Sequence, residues 1–166
     1  MSNKLVGLML AVATGCVTQH DPEPQPDGGV IGTPITPHTG VWFYDGVTPV
    51  SNDCNPAIQE GEGGNFLIDS ASQTTFHVDP NDGHPAFSCT LSTGTFTCPS
   101  RITAMQDFHP SVDAIATAHV DVDGTFSSSV HATGTQRGTV DCVGSACGAY
   151  GTFPCHYQQK FAISAQ

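Results

Sequence analysis

The chain has 166 residues, enough for one domain plus extensions, and only 11% of them are charged. Fifteen acidic residues against four basic ones give a net charge of −11. That balance opposes binding to nucleic acid or to an anionic lipid surface, and it suits solubility or a basic partner. Glycine (18), proline (12) and abundant Ser and Thr point to strands and turns rather than to long amphipathic helices.

Taken in order, Met1 to Lys4 opens with a positive charge, and Leu5 to Thr14 is an apolar run of about ten residues. A bilayer span needs ~20, so this length suits a signal-peptide core. Ala13-Thr14-Gly15-Cys16 resembles the lipobox of bacterial lipoproteins, with Ala13 where Leu is usual. The resemblance implies that residues 1–15 are a signal peptide. It also implies that Cys16 is acylated, becomes the mature N-terminus and anchors the protein to a membrane. An Asp at the next position favours the inner membrane in such lipoproteins. Here it is Val17, which implies an outer-membrane anchor facing the periplasm or the cell surface. Loss of Lys4 with the signal peptide leaves Arg101, Arg137 and Lys160 as the basic residues.

Residues 16–39 read as the lipidated cysteine and a disordered tether. Pro22, Pro24 and Pro26 alternate with acidic and polar residues, and glycines follow. Such a composition cannot bury a core, and in polyproline II it reaches roughly 70 Å from the membrane. His20 and His38 read as solvated loop residues.

The β-domain is expected over 40–166. Gly40-Val41-Trp42 resembles the G-x-W opening of lipocalins, eight-stranded up-and-down barrels that carry small apolar ligands. The resemblance implies a buried Trp42 with a basic residue of the last strand packed against it. Lys160 is the only basic residue in the last strand. Phe66 to Val78 forms a hairpin if Ala71-Ser72-Gln73 is its loop, with Ile68 facing Phe76 and Phe66 facing Val78. Asp79-Pro80-Asn81-Asp82-Gly83 carries oxygens but lacks the calcium-loop ladder, and it reads as a turn.

Phe87 to Cys98 is the clearest hairpin. A two-residue turn at Thr93-Gly94 sets Ser92 against Thr95, Leu91 against Phe96, Thr90 against Thr97 and Cys89 against Cys98. The cysteines then share a non-hydrogen-bonded pair with Cα atoms ~4.5 Å apart, within disulfide reach. A further hairpin is expected around Asp123-Gly124. A three-residue loop over 123–125 sets Val122 against Phe126, Val120 against Ser128, Ala118 against Val130 and Ala116 against Ala132. Its other face would carry His119, Asp121 and His131, a set that could approach a shared metal but reads more simply as a wetted sheet face.

Apart from Cys16, the six cysteines are an even set for three disulfides in an oxidising compartment. Six cysteines allow 15 pairings, and of these only Cys89–Cys98 is supported by its hairpin; a Gly144-Ser145 turn would set Cys142 against Cys147. Cys54 and Cys155 would staple the first strand to the last if the sheet closes. The closing strand places Cys155, Tyr157, Phe161 and Ile163 on one side. The fold class is therefore all-β, an antiparallel meander in an up-and-down barrel, with a β-sandwich as the alternative.

No nucleophile elbow, zincin, P-loop or dinucleotide motif occurs, and nothing calls for a metal or cofactor. The run Gly144 to Gly148 places its serine one position too early for a nucleophile elbow. The chain also resembles the small cysteine-rich lipoproteins of Gram-negative bacteria, through Phe87-Ser88-Cys89, Gly124 to Ser129 and Phe153-Pro154-Cys155. That resemblance implies an envelope location and no activity. The expected function is a non-catalytic structural or binding module with an envelope partner. The alternatives are a lipocalin-like carrier of a small apolar ligand and a weak hydrolase. A continuous apolar cavity beneath Trp42 would favour the carrier.

Overall fold

The computed structural model describes residues 34–55 and 64–166. They form eight antiparallel strands in sequential order, closed into a ring. These are β1 (Gly40–Asn52), β2 (Asn65–Ala71), β3 (Thr75–Asp79), β4 (Phe87–Ser92), β5 (Thr95–Asp107), β6 (Ile115–Ser128), β7 (His131–Val143) and β8 (Cys155–Ala165). A short 3-10 turn, Cys147–Ala149, precedes β8. The expected up-and-down barrel is thus the architecture, and the β-sandwich alternative is excluded. Closure comes from β1 pairing with β8 from Trp42↔Ala165 to Asn52↔Tyr157, which leaves no sheet edge between first and last strands.

The alternation of apolar residues dictates what faces inward. In β8, Cys155, Tyr157, Gln159, Phe161 and Ile163 are all buried. One core cluster gathers Trp42, Ile68, Phe76, Leu91, Phe96, Phe126, Phe161 and Ile163. Its rings meet edge-on or tilted, as at Phe76–Phe126 (5.5 Å) and Phe96–Phe126 (5.0 Å), the geometry that aromatic quadrupoles favour. A second cluster joins Cys54, Val120, Val140, Cys155 and Tyr157.

Hairpin β4–β5 has the expected register, Leu91↔Phe96 and Thr90↔Thr97. Two other registers differ from expectation. In β2–β3, Ile68 pairs with Val78 and Ala71 with Phe76, because a bulge at Asp69 absorbs one residue. The apolar face survives, since Ile68, Phe76 and Val78 all stay buried. The larger correction concerns Asp123-Gly124, which is not a turn. β6 runs on to Ser128, and Phe126 pairs with Ala132 rather than Val122.

Glycine is required in mid-strand here for a packing reason. Phe96, Gly124, Gly134 and Phe161 stand in one row across four strands. A Cβ on Gly124 would lie 2.5 Å from Phe96 Cζ, and one on Gly134 would lie 2.4 Å from Phe161 Cζ. Each ring lies flat over the backbone of a neighbouring strand, the arrangement by which aromatics shield strand glycines. Gly138 is covered by Tyr157 in the same way.

Residues 34–39, expected within the tether, pack on the described domain. Ile35 packs on the core, Pro37 is buried, and the His38 amide donates to the Ser129 carbonyl at 2.7 Å. Residues 34–39 therefore belong to the barrel.

Candidate ligand cavity

The barrel wall is uneven in height. β4 pairs with β5 only as far as Thr90↔Thr97, whereas β5 continues along β6 to Asp107↔Ile115. Likewise β1 pairs with β2 over Gly40 to Phe43 and then continues along β8 alone. A low wall of β2, β3 and β4 thus faces a tall wall of the other strands. Between them lies a cavity of ≈ 250 Å³.

Its floor is aromatic and aliphatic. Phe66, Ile68, Phe76, Phe96, Phe126 and Phe161 all line it. The floor sits beside Trp42, which is 0% exposed and donates its indole N–H to the His38 carbonyl at 2.9 Å. The burial expected for Trp42 is met, but the basic partner is not. Lys160 is on the outward parity of β8 and pairs with Thr48 and Thr135.

Above this floor lies a belt of polar groups. Cys98, Val122, Gln136 and Gln159 form the next row across the tall wall, followed by Arg101, Val120, Gly138 and Tyr157. Gln136 lines the cavity. Gln159 is 6% exposed, and its Oε1 has no hydrogen-bond partner among the described residues. A bulge between Cys98 and Arg101 turns Arg101 inward opposite Val120. Its guanidinium lies over the Phe87 ring, 4.9 Å from the centroid. Both its Nη atoms donate at 3.1 Å to a single oxygen, Asp82 Oδ2, on the β3–β4 loop.

Burial works to raise the Asp82 pKa, but the His84 amide and Arg101 outweigh it and hold the carboxyl below its ordinary range. Burial raises the Tyr44 phenol, Arg101 opposes that and Asp82 adds to it. Tyr44 therefore lines the cavity as a neutral phenol. The rim is completed by Asn65, Pro80 and Thr103.

The predicted residues fall as follows. Cys16 lies outside the described residues. The three disulfides form as expected: Cys54–Cys155, Cys89–Cys98 and Cys142–Cys147, with Cα separations of 5.0, 4.2 and 5.8 Å. The last bridges no hairpin, because β7 ends at Val143 and Cys147 begins the 3-10 turn. His119 and Asp121 are not brought to His131. His119 pairs across with Thr139, whereas His131 starts β7 opposite Ser128, roughly 30 Å along the strand. Instead His119 Nε2 sits 3.7 Å from Asp141, and Asp121 takes Arg137. Asp53 lies close to Cys54 and Cys155, but both sulfurs are spent in the disulfide and offer no thiolate.

One constellation has the residue types of a hydrolase with the wrong wiring. Ser145 Oγ donates to Asp113 Oδ2 at 2.6 Å, and His109 contacts Asp107 and Asp113 through its two ring nitrogens. The hydroxyl thus faces a carboxylate held at a pKa of about 2 by Ser145 and then His109. Such a carboxylate is a poor base, and the imidazole never meets the serine.

Sequence reasoning missed Tyr44, Asp82, Arg101, Gln136 and Gln159. Gln159 was legible, since it shares the inward parity of Cys155, Tyr157, Phe161 and Ile163. Arg101 was not, because the bulge that turns it inward breaks the alternation. No protein-family model, curated protein or solved structure matches the chain.

Proposed function

We propose that this is a lipid-anchored lipoprotein of the bacterial cell envelope, attached to the outer membrane through Cys16, whose barrel binds a small apolar ligand without catalysis. The observation that carries the binding reading is the ≈ 250 Å³ cavity with an aromatic floor. Ligand sites are concave and mostly apolar, with a few placed polar groups. What the described lining offers is that kind of surface, with Tyr44, Gln136 and Arg101 as the placed groups. The anchoring reading rests on the resemblance of Ala13 to Cys16 to a lipobox and on the three disulfides, which require an oxidising compartment.

Two measurements test this. Naphthalene should raise the melting temperature of the full-length oxidised chain, because a ligand that binds only the folded state stabilises it. It should not do so in Val122→Phe, which fills the cavity. Failure to shift the wild-type chain removes the carrier reading and leaves a structural module. Radiolabelled palmitate should label the wild-type chain in bacteria and not Cys16→Ala; equal labelling removes the anchor.

A further inference from the structure

The polar groups of the cavity point to the chemistry of one end of its ligand. The inference rests on the carrier reading above. Among the described residues the chain has three Lys or Arg side chains. Arg137 faces outward and takes Asp121 and Asp123, and Lys160 is exposed on the outer face. Arg101 alone of the three lines the cavity. A guanidinium carries five N–H donors in a planar fork that matches a carboxylate edge to edge. Here two Nη atoms converge on one oxygen of Asp82, and no other acceptor meets the group among the described residues. The fork is therefore under-used, although Phe87 holds it in place and the side chain is only 24% exposed. One row below, Gln136 adds an amide, and the buried Gln159 beside it has an unpartnered Oε1. At Arg101 and Gln159 the belt holds hydrogen-bonding capacity that no described residue uses.

We propose that the ligand is a small apolar carboxylic acid, its body on the aromatic floor and its carboxylate on the Arg101 fork in place of Asp82. Asp82 sits on a loop without strand pairing, where Asn81 and Gly83 adopt φ of 53° and 82°, so its release breaks no sheet contact. The net charge of −11 disfavours an anion at long range. That field is screened over ~8 Å at physiological ionic strength, whereas Arg101 acts at contact in a half-desolvated site. A cationic head would have to take Asp82 from Arg101 and leave the guanidinium unpaired over Phe87. The size follows from volume. A cavity of about 150 Å³ admits benzene, so this one suits about ten non-hydrogen atoms, the size of octanoate.

The test is calorimetric titration of the full-length oxidised chain with octanoate, 1-octanol and octylamine near neutral pH. Octanoate should bind about tenfold more tightly than octanol, the factor that one charge-assisted hydrogen bond carries. In Arg101→Gln that ratio should fall to about one. In Asp82→Asn, which replaces the ion pair by a weaker neutral acceptor for the fork, it should rise above the wild-type value. Equal affinities in wild type, a ratio that survives Arg101→Gln, or a preference for octylamine overturns the acid assignment and leaves the apolar cavity standing. If no probe binds, the carrier reading falls and the assignment falls with it. Should Arg101→Gln fail to fold, Asp82→Asn still decides, since no gain for octanoate overturns the proposal.

Discussion

Phe161 lies across Gly134, its partner between β7 and β8. A Cβ on Gly134 would come within 2.4 Å of the ring and 2.5 Å of the Asp123 carbonyl oxygen. The ring can move, but the carbonyl belongs to the sheet ladder and cannot. Gly134→Ala should therefore destabilise the barrel by about 3 kcal/mol, the upper part of the overpacking range. Gly124→Ala, which would meet the Thr133 carbonyl at 2.4 Å, should behave alike. Urea unfolding measures both, and a wild-type midpoint in either variant would show that the rows are not held this close.

The disulfides should rank by the loop each closes. Cys54–Cys155 spans 101 residues and joins the end of β1 to the start of β8, whereas Cys142–Cys147 spans 5. Loop-closure entropy gives about 4.7 kcal/mol for the first and about 2 kcal/mol for the last. Paired Cys→Ala variants unfolded in urea should follow that order. Equal losses would mean that native-state strain outweighs chain entropy.

The barrel should need residues 34–39. The Trp42 indole N–H donates to the His38 carbonyl inside the wall, and Ile35 packs on the core. A chain beginning at residue 40 leaves that donor buried and unpaired, a loss of about 2 kcal/mol, to which the uncovered core adds. Denaturation beside a chain beginning at residue 34 checks this, and equal stability would return these residues to the tether.

Stability should fall on both sides of a mildly acidic window. Asp107, and then Asp113, raise the His109 pKa above its ordinary 6.5. Its contribution is complete below 6.5 and fades as pH rises through the raised value. Ser145, and then His109, lower Asp113 from 3.8 to about 2. Its contribution is present above 3.8 and is lost as pH falls towards 2. Melting temperature against pH should show both limbs, shallow because the groups are exposed. His109→Asn should flatten the alkaline limb, and Ser145→Ala should weaken the acid one.

Thr93 holds a φ of 47° ahead of Gly94 at 86°. A β-branched residue is strained there, and the two-residue hairpin turn prefers Asn-Gly. Thr93→Asn should stabilise the chain by about 1 kcal/mol in urea without changing the register of Cys89 and Cys98.

Local geometry made part of this molecule readable in advance. The β4–β5 hairpin could be paired residue by residue, because a two-residue turn leaves no freedom of register and the cysteines confirm it. Cys54–Cys155 was readable only on the condition that the meander closed, which the pairing of β1 with β8 supplies. Asp123-Gly124 misled because glycine answers two demands with one signal. A turn needs its backbone freedom, and an aromatic ring lying over a strand needs its missing side chain. Only the partner distinguishes them, and Phe96 stands 28 positions away in the chain. The cavity was hidden for a related reason. Phe66, Phe76 and Phe126 announce an apolar face whether that face is filled or hollow.

Alternation, turn chemistry and cysteine number thus determined the class of fold, the Cys89–Cys98 bridge and the inward set of β8, since each acts between near neighbours or follows from chain order. Tertiary structure alone decided that β6 runs through Gly124, that the wall is lower at β2 to β4, and that Arg101 turns inward beside Asp82. Those outcomes depend on bulges and on strand lengths relative to their neighbours. A bulge is a compromise between two strands, so neither strand records it by itself.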